Sequence, residues 1–394
     1  MTHFFFTLAG AVLVGVTLPL ALELLLMTAA NLLPGRRQSI LEEENKEKKN
    51  VKLAIVIPAH NEELLVGRCV ASLRSSASPN VEILVLAHNC VDRTAVNAAA
   101  AGAEVLVYND PAAIGKGFAL RHGFEYALST GADAVMVVDA DSTVTPNAVG
   151  SVLSAIVSGA RVVQCRYEMY SSTDRSSTRL AALAFRGFNV IRPRGRERLG
   201  LSAGILGNGF AIVRPVLKAI PYDAFSIVED LEYHLHLVMA GERVRYLDEA
   251  VISADFPESR AGEAVQRSRW EGGRLHTARI WALPLAGKII RGNLRLLEPL
   301  FDLSGLPMAY GVFALLLAAC IPLAWLRWYA FISLAIVLAH VLSAAWAGPD
   351  FLKTLRLLAL APIYILRKLW MIPGVVRGSS AKAAWVRTER DSTL

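Results

Sequence analysis

The sequence predicts an α/β domain built on a mostly parallel sheet, carried by membrane helices at both ends of the chain. Three observations lead there. The first is a nearly continuous apolar run from Phe4 to Leu33 and a second apolar region beyond residue 300. The second is a middle stretch, residues 51–275, in which short β-branched runs alternate with helix-length segments. The third is composition: of 394 residues, 54% are apolar and only 19% charged, more apolar than a typical soluble domain. That balance excludes a disordered, collagenous or disulfide-stapled protein. The four cysteines, at 69, 90, 165 and 320, form no CxxC pair and no metal cluster, as suits a reducing compartment. The net charge of +7 fits anionic lipid, phosphorylated substrates or nucleic acid.

Taken in order, residues 1–35 form an N-terminal transmembrane anchor. The apolar stretch suffices for the roughly 20 residues of a span, is too long for a signal-peptide core, and has no Lys or Arg before it. Arg36, Arg37, Lys46, Lys48 and Lys49 follow, which places the next segment in the cytosol and the N-terminus outside. Glu23, near the cytosolic end, reads as an interfacial carboxylate rather than a buried one. Residues 36–50 are a charged linker. Within 51–275 the expected strands are Val51–Ile57, Val81–Leu86, Val105–Tyr108 and Ala134–Val138. The expected helices are Glu62–Leu73, Arg93–Ala101, Ala119–Leu128 and Leu231–Ala240. Parallel strands with crossover helices gather ligands at the strands' C-terminal ends. Residues 276–305 read as interfacial helices. Residues 306–347 read as a transmembrane hairpin of Leu306–Leu326 and Trp328–Trp346, turning at Arg327. Residues 348–394 read as a basic interfacial segment, with eight Lys/Arg against one acid from 351 to 390. Leu357–Leu366 is apolar but too short to span.

Polar residues mark the strand ends: Pro58-Ala59-His60-Asn61-Glu62, His88-Asn89-Cys90-Val91-Asp92, Gly115-Lys116-Gly117 and Asp139-Ala140-Asp141. Asp92 on its own reads as a helix cap. Two carboxylates on one turn, Asp139 and Asp141, repel unless a cation lies between them, and hard oxygen ligands suit Mg²⁺ or Mn²⁺ shared with phosphate. The other reading of that pair is a solvated acidic turn. Glu229-Asp230 opens a helix, so the pair reads either as first-turn charges or as a general base and its neighbour. Gln266-Arg267-Ser268-Arg269-Trp270 offers Arg to a diphosphate and Trp to a sugar or to the membrane boundary. His234 and His236 read as packing or surface residues.

In this order the motifs resemble the membrane-bound family 2 glycosyltransferases with a GT-A fold (Rossmann-like). The branch is that of the D, D, D, Q/RxxRW pattern, which includes cellulose- and hyaluronan-synthase-like and ceramide-glucosyltransferase-like enzymes. The resemblance covers roughly residues 51–275. It implies that Pro58, His60, Asn61 and Glu62 frame the nucleotide-sugar pocket with His88, Asp92 and Lys116. It implies that Asp139 and Asp141 hold Mg²⁺ or Mn²⁺, with Asp141 the firmer ligand. Asp230 becomes the general base with Glu229 beside it. Gln266, Arg269 and Trp270 would close over the diphosphate, and Gly207-Asn208-Gly209 would lie on the acceptor side. His88 departs from the family, which commonly carries Asp there to accept from uracil; a neutral imidazole can accept the same bond, and the other readings are a different base or a rearranged pocket. The implied activity is an inverting, metal-dependent transfer from a nucleotide-sugar, a UDP-sugar by resemblance, to a lipid or lipid-linked acceptor at the cytosolic face. A bacterial inner membrane is the expected location, with glycolipid or exopolysaccharide as product. Three expected spans are too few to enclose a polymer pore, so a processive synthase would require an oligomer or a partner. Two further readings are a polyprenyl-phosphate sugar synthase, from which the QRSRW motif points away, and a non-catalytic nucleotide-binding scaffold, which the acids at 92, 141 and 230 disfavour. Nucleic-acid binding is not expected, because the basic residues flank membrane segments.

Overall fold

A computed structural model describes residues 2–35, 50–171, 175–257 and 259–379. The linker expected at 36–50, save Asn50, lies outside the described residues, as does the chain after Ser379. The chain divides into two compact units. One takes its described residues from 34–35, 50–171, 200–257 and 259 and contains the sheet; the other takes them from 2–33, 175–199 and 260–379 and is helical. The stretch 51–275 is therefore interrupted: residues 175–199 and those after 260 cluster with the N-terminal helix.

The sheet unit is built on eight strands in the order β3-β2-β1-β4-β7-β6-β8-β5. They are β1 (Leu53–Ala59), β2 (Val81–His88), β3 (Glu104–Tyr108), β4 (Ala134–Val137), β5 (Thr143–Val144), β6 (Val162–Tyr170), β7 (Phe210–Val213) and β8 (Val244–Asp255). β1 to β4 are mutually parallel where they pair, and β7 runs antiparallel to both β4 and β6. The four expected strands are all present, shifted by up to two residues. β1, β2 and β4 are almost wholly buried, as a sheet covered on both faces requires. The first helix begins at Val66 rather than Glu62, because residues 62–65 form a turn held by the next loop.

The chain leaves β1 toward β2 and β3, then returns to β4 on the other side of β1. That reversal opens a crevice at the C-terminal ends of β1 and β4. Pro58 is tolerated there. It shares the side of Val56, whose carbonyl accepts from Val138 N–H at 3.2 Å, so its missing N–H falls where the β4 ladder ends. Because β7 is antiparallel to β4, with Val137 opposite Phe210, the loop before β7 arrives at the same end of the sheet.

In the helical unit, His3–Ala30 and Ala324–Trp346 are long and apolar enough to cross a membrane. Thr17 meets Tyr329 at 2.8 Å and Thr28 meets His340 at 2.9 Å, polar ties between these two helices. The expected span Leu306–Leu326 is not one helix. Met308–Cys320 has 13 residues, about 20 Å, short of a bilayer core. It pairs with Leu294–Ser304 at a bend of 80°, a broken span or a re-entrant loop. The break before the next helix comes at Ile321–Leu323, around Pro322, and not at Arg327, which lies within that helix.

Glu23 corrects its expected place. It is buried, pairing with Arg192 and with Arg196 at 3.0 Å. Asp302 joins Arg192, Arg196 and Arg274 at 3.0–3.1 Å, and Glu298 pairs with Arg196. Three guanidinium groups thus answer three carboxylates, the one arrangement in which so many buried charges are tolerable. Gly195 lets its helix touch the first one: a Cβ there would lie 2.6 Å from the Met27 carbonyl oxygen.

Candidate active site

β1 and β2 end in the same triplet, Ala59-His60-Asn61 and Ala87-His88-Asn89, with Ala59 and Ala87 in register. Both asparagines take the left-handed conformation, at φ 56° and 51°, which Asn tolerates better than most residues. Each uses its side chain to hold the next loop. Asn61 Oδ1 accepts from Val91 N–H and Asn89 Oδ1 from Asp110 N–H, both at 2.8 Å. His60 Nδ1 lies 2.8 Å from the His88 carbonyl.

His88 does not present the open acceptor expected of it. It is 5% exposed, stacks on Tyr108, and has Nε2 3.2 Å from Asn89 Nδ2. Burial and the neighbouring His60 hold the imidazole below its ordinary value, so it is neutral.

Asp92 acts as a brace. Its Oδ2 accepts from Glu63 N–H at 3.1 Å and its Oδ1 from Thr94 N–H at 3.0 Å, at the start of the Thr94–Ala100 helix. The Thr94 hydroxyl in turn accepts from Glu62 N–H at 2.7 Å. The capping role is thus the one its contacts display.

The charged centre lies beyond β4. Lys116 opens the Lys116–Ser129 helix; its Nζ pairs with Asp139 and donates to the Gly207 carbonyl at 2.6 Å. Burial lowers this ammonium, but the carboxylates of Asp139, Glu229 and Asp230 outweigh that and raise it. Glu229 and Asp230 form the first turn of the Glu229–Met239 helix. Burial, then Asp230, pushes Glu229 up to about 7, and burial raises Asp230 as well. Gly207, at φ 79°, passes so close to Asp230 that a Cβ would lie 2.9 Å from its Oδ2. The structure therefore brings Lys116, Asp139, Gly207, Glu229 and Asp230 together from four segments.

The turn Asp139–Ser142 is held from behind. Ser142 N–H donates to the Asp139 carbonyl at 3.0 Å, and Ser142 Oγ donates to Asp141 Oδ1 at 3.0 Å. Asn208 completes the brace: Oδ1 accepts from Asp139 N–H at 3.1 Å and Nδ2 donates to Ser142 Oγ at 2.8 Å. Asn208 is fully buried, so its side chain serves this turn and cannot face an acceptor from solvent. Gly209, at φ 72°, has no room for a Cβ against Ile252. Sequence reasoning missed Ser142 and Gln164. The buried Gln164 accepts from Leu206 N–H at 2.9 Å and donates to the Asn208 carbonyl at 2.7 Å. A polar residue between Val163 and Cys165, at the apolar start of β6, was the signal in the sequence.

Asp139 and Asp141 are half-buried oxygens on one tight turn. Among the described residues no group of three or more His, Cys, Asp or Glu could hold a metal. This donor set suits Mg²⁺ or Mn²⁺ bound by one or two carboxylates plus substrate phosphate.

Gln266, Arg269 and Trp270 belong to the helical unit, on the Arg260–Ile290 helix. Gln266 is buried and its Oε1 has no hydrogen-bond partner among the described residues. Trp270 lies with its ring 6.0 Å from that of Phe185. The neighbouring Arg267 is taken up by Glu263 and the Tyr364 hydroxyl. His234 is buried against Ser202 at 3.0 Å, a packing role as expected.

Comparison with known proteins decides the family. The profile described as "Glycosyltransferase like family 2" matches residues 50–273, more than half of the chain. The chain belongs to this family. Its sheet unit is a glycosyltransferase domain of GT-A type. The "Probable glycosyltransferase YdaM" of Bacillus subtilis (strain 168) is 28% identical over 233 residues, 56% of this chain and 55% of the relative. The chain thus spans about half the length of this curated relative. Among solved structures, the mannosyltransferase PcManGT from Pyrobaculum calidifontis, in complex with GDP-Man and Mn²⁺, is similar along 98% of this chain and 99% of its own. Its TM-score is 0.57 at 14% identity, a likeness of fold. The glucosyl-3-phosphoglycerate synthase of Mycobacterium tuberculosis, with Mg²⁺ and UDP, covers 52% of this chain and 70% of its own, at TM-score 0.36 and 22% identity.

Proposed function

We propose that this transferase moves a sugar from a nucleoside-diphosphate donor onto a hydroxyl of a lipid or lipid-linked acceptor, with inversion, at the cytosolic face of a bacterial inner membrane. The observation that carries the reading is the cluster of Lys116, Asp139, Glu229 and Asp230, where one ammonium faces three carboxylates at the sheet's switch point. Such a cluster pairs a group that can neutralise a leaving diphosphate with one that can take a proton.

Asp141 with Asp139 would hold a divalent cation. When bound, it supplies positive charge to the diphosphate oxygens as the sugar–phosphate bond breaks. Lys116 adds a second positive charge there, exchanging Asp139 for phosphate. Asp230 takes the acceptor proton: burial raises it, which makes it a stronger base near neutral pH. The Leu231 N–H, 2.8 Å from Oδ1, and the close approach of Gly207 fix its carboxylate. A base on the face opposite the leaving group gives one displacement and inversion.

The donor base is narrowed less than the rest. His88 is occupied internally, so a uracil reading through an acceptor at 88 loses its support. The structures named above bind GDP-Man in one case and UDP in the other. The acceptor's lipid character rests on the two helices long enough to span, the basic helices beside them and the orientation expected from the Lys/Arg after residue 35.

The test uses membranes containing the protein, a panel of labelled UDP- and GDP-sugars, and Mn²⁺ or Mg²⁺, with Asp230→Asn as control. Label in the organic phase, lost in the variant, is the expected result. High-mass aqueous label would replace single transfer by a processive synthase acting as an oligomer or with a partner. Label that persists undiminished in Asp230→Asn would remove Asp230 as base.

A further inference from the structure

The last described helices carry their polar contacts inward and their apolar side chains outward. They are Phe351–Leu357, Ala361–Leu369 and Ile372–Gly378, with a 3₁₀ turn, Leu358–Leu360, between the first two. At seven to nine residues, none of the three can cross a bilayer.

The inward face rests on the Arg260–Ile290 helix through polar ties. Arg267 donates to the Tyr364 hydroxyl at 3.1 Å, Lys368 pairs with Glu271, and Arg279 donates to Ser379 Oγ at 2.9 Å. Tyr310 joins the middle of this contact, donating to Glu271 Oε2 at 2.9 Å. Gly374 packs there too: a Cβ on it would lie 3.4 Å from Ser268 Oγ.

The outward face is apolar and cationic. Exposed residues recur every three or four positions, at Lys353, Arg356, Leu360, Ile363, Arg367 and Trp370, the repeat of one helix face. Trp370 is 87% exposed, and Leu366, Ile372 and Val376 are exposed as well. Residues 351–379 hold five Lys/Arg and no Asp or Glu. Glu271 takes Lys368 inward, and the other four, Lys353, Arg356, Arg367 and Arg377, are exposed.

A helix on a water-soluble surface buries its apolar stripe and wets its polar one. Here the order is reversed, which suits the boundary of a lipid leaflet: apolar side chains enter the acyl region, and Lys and Arg reach the headgroups. The position agrees. Trp346, 76% exposed, ends the Ala324–Trp346 span, and its ring meets that of Phe351 at 5.3 Å. Tryptophan gathers at membrane boundaries, so the stripe starts where a span leaves the bilayer. Cations without acids among them favour acidic headgroups over zwitterionic ones.

We propose that this face is a sensor of anionic lipid: it beds in an acidic leaflet and, through its ties to the Arg260–Ile290 helix, makes transfer depend on that lipid. The ties fall at Arg267, Ser268, Glu271 and Arg279, interleaved with Gln266, Arg269 and Trp270, which the resemblance assigns to the diphosphate. A stripe lifted off the leaflet would release the same turns of helix that carry that motif. The effect on rate rests on the transferase reading; the docking does not.

The test places the full-length protein in nanodiscs of phosphatidylcholine, with or without phosphatidylglycerol. Quenching of tryptophan fluorescence by acyl-brominated lipid reads the docking without turnover. At equal bromine content, brominated phosphatidylglycerol should quench more than brominated phosphatidylcholine, and Trp370→Phe should remove that excess. Transfer should be about fivefold faster with phosphatidylglycerol, the weight of one surface cation, through kcat rather than donor KM. Arg367→Gln combined with Arg377→Gln should abolish the preference in both readouts and leave the rate in phosphatidylcholine unchanged. Equal quenching by the two lipids, or an excess that survives Trp370→Phe, would overturn the docking and leave the face to a protein partner. Transfer indifferent to phosphatidylglycerol in an active wild type would overturn the dependence of rate on lipid, even where quenching follows the lipid. A wild type that transfers nothing in any lipid would count against the transferase reading, and the quenching comparison would still judge the face.

Discussion

Replacing Asn208 by alanine should damage both the fold and the cation requirement. The carboxamide accepts from Asp139 N–H at 3.1 Å and donates to Ser142 Oγ at 2.8 Å, in a site with no exposure. Alanine removes two hydrogen bonds, about 1 kcal/mol each, and strands the Asp139 N–H, about 1–3 kcal/mol more. Ser142 Oγ keeps its bond to Asp141, so its share is small. The expected loss is about 3 kcal/mol, a large part of the 5–15 kcal/mol typical of a domain. Chemical denaturation of detergent-solubilised protein measures it. The turn that carries Asp139 and Asp141 should loosen as well, so the Mn²⁺ concentration for half-maximal transfer should rise in the fraction that remains folded. Asn208→Asp separates the two effects. It keeps an acceptor for Asp139 N–H but adds a carboxylate among carboxylates, so it should approach wild-type stability at acid pH and lose it as pH rises. An alanine variant within about 1 kcal/mol of wild type, with an unchanged Mn²⁺ requirement, would refute the claim that Asn208 braces this turn.

Gly207→Ala forces a side chain into a left-handed position, at a cost of about 1–2 kcal/mol, and drives its Cβ against Asp230; transfer should fall at least tenfold and the melting temperature by a few degrees. Lys116→Met leaves Asp139, Glu229 and Asp230 without their cation, and transfer should fall by about a hundredfold or more, checked by initial rates at saturating donor. Glu23→Ala leaves three buried guanidinium groups in the helical unit against two carboxylates, Asp302 and Glu298, a loss of about 3 kcal/mol, seen as reduced recovery of monodisperse protein; Glu23→Asp should recover part of it. Glu229, pushed up to about 7, holds its proton in the folded chain at pH values where the unfolded chain has released it. Its contribution to stability therefore declines as pH rises through the interval up to about 7, and Glu229→Gln should flatten the melting temperature across that interval.

The parallel half of the sheet was legible because β1, β2 and β4 are runs of Val, Ile, Leu and Ala punctuated by turn residues, the pattern of strands buried on both faces. The antiparallel half was harder. β7 has four residues beside a glycine-rich loop, and β6 carries Gln164, Arg166 and Glu168 inside it. The acids of the site were legible as motifs. Their supports were not, since Asn208 meets Ser142 across 66 positions, a neighbourhood created only when β7 pairs with β4. Asp92 shows the opposite case, where the capping reading of a lone acid before a helix matches its contacts. In the membrane region the apolar run after residue 306 concealed a break at Pro322, because hydropathy reports burial in lipid and says little of where a helix stops. Glu23 was misread for a related reason. Its partners come from a segment about 170 residues away, and a carboxylate near the end of a span looks interfacial until they are known.

Under the proposed transfer, the charge pattern of the site predicts that a donor brings positive charge with it. At rest Lys116 is shared among Asp139, Glu229 and Asp230, and burial, then the neighbouring Asp230, keeps Glu229 partly protonated near neutral pH. A nucleoside-diphosphate sugar adds two further negative charges beside Lys116. Without a compensating cation the easiest response is protonation of the acid pair, which would remove the base that the acceptor needs. With Mg²⁺ or Mn²⁺ at Asp141, the added charge is answered where it arrives, and Asp230 can remain ionised. On that proposal, cation binding and the base function of Asp230 are linked. The pH at which transfer begins should fall as Mn²⁺ is raised from limiting to saturating. A pH profile that keeps its position across that range would separate the two and leave the raised Glu229 unrelated to catalysis.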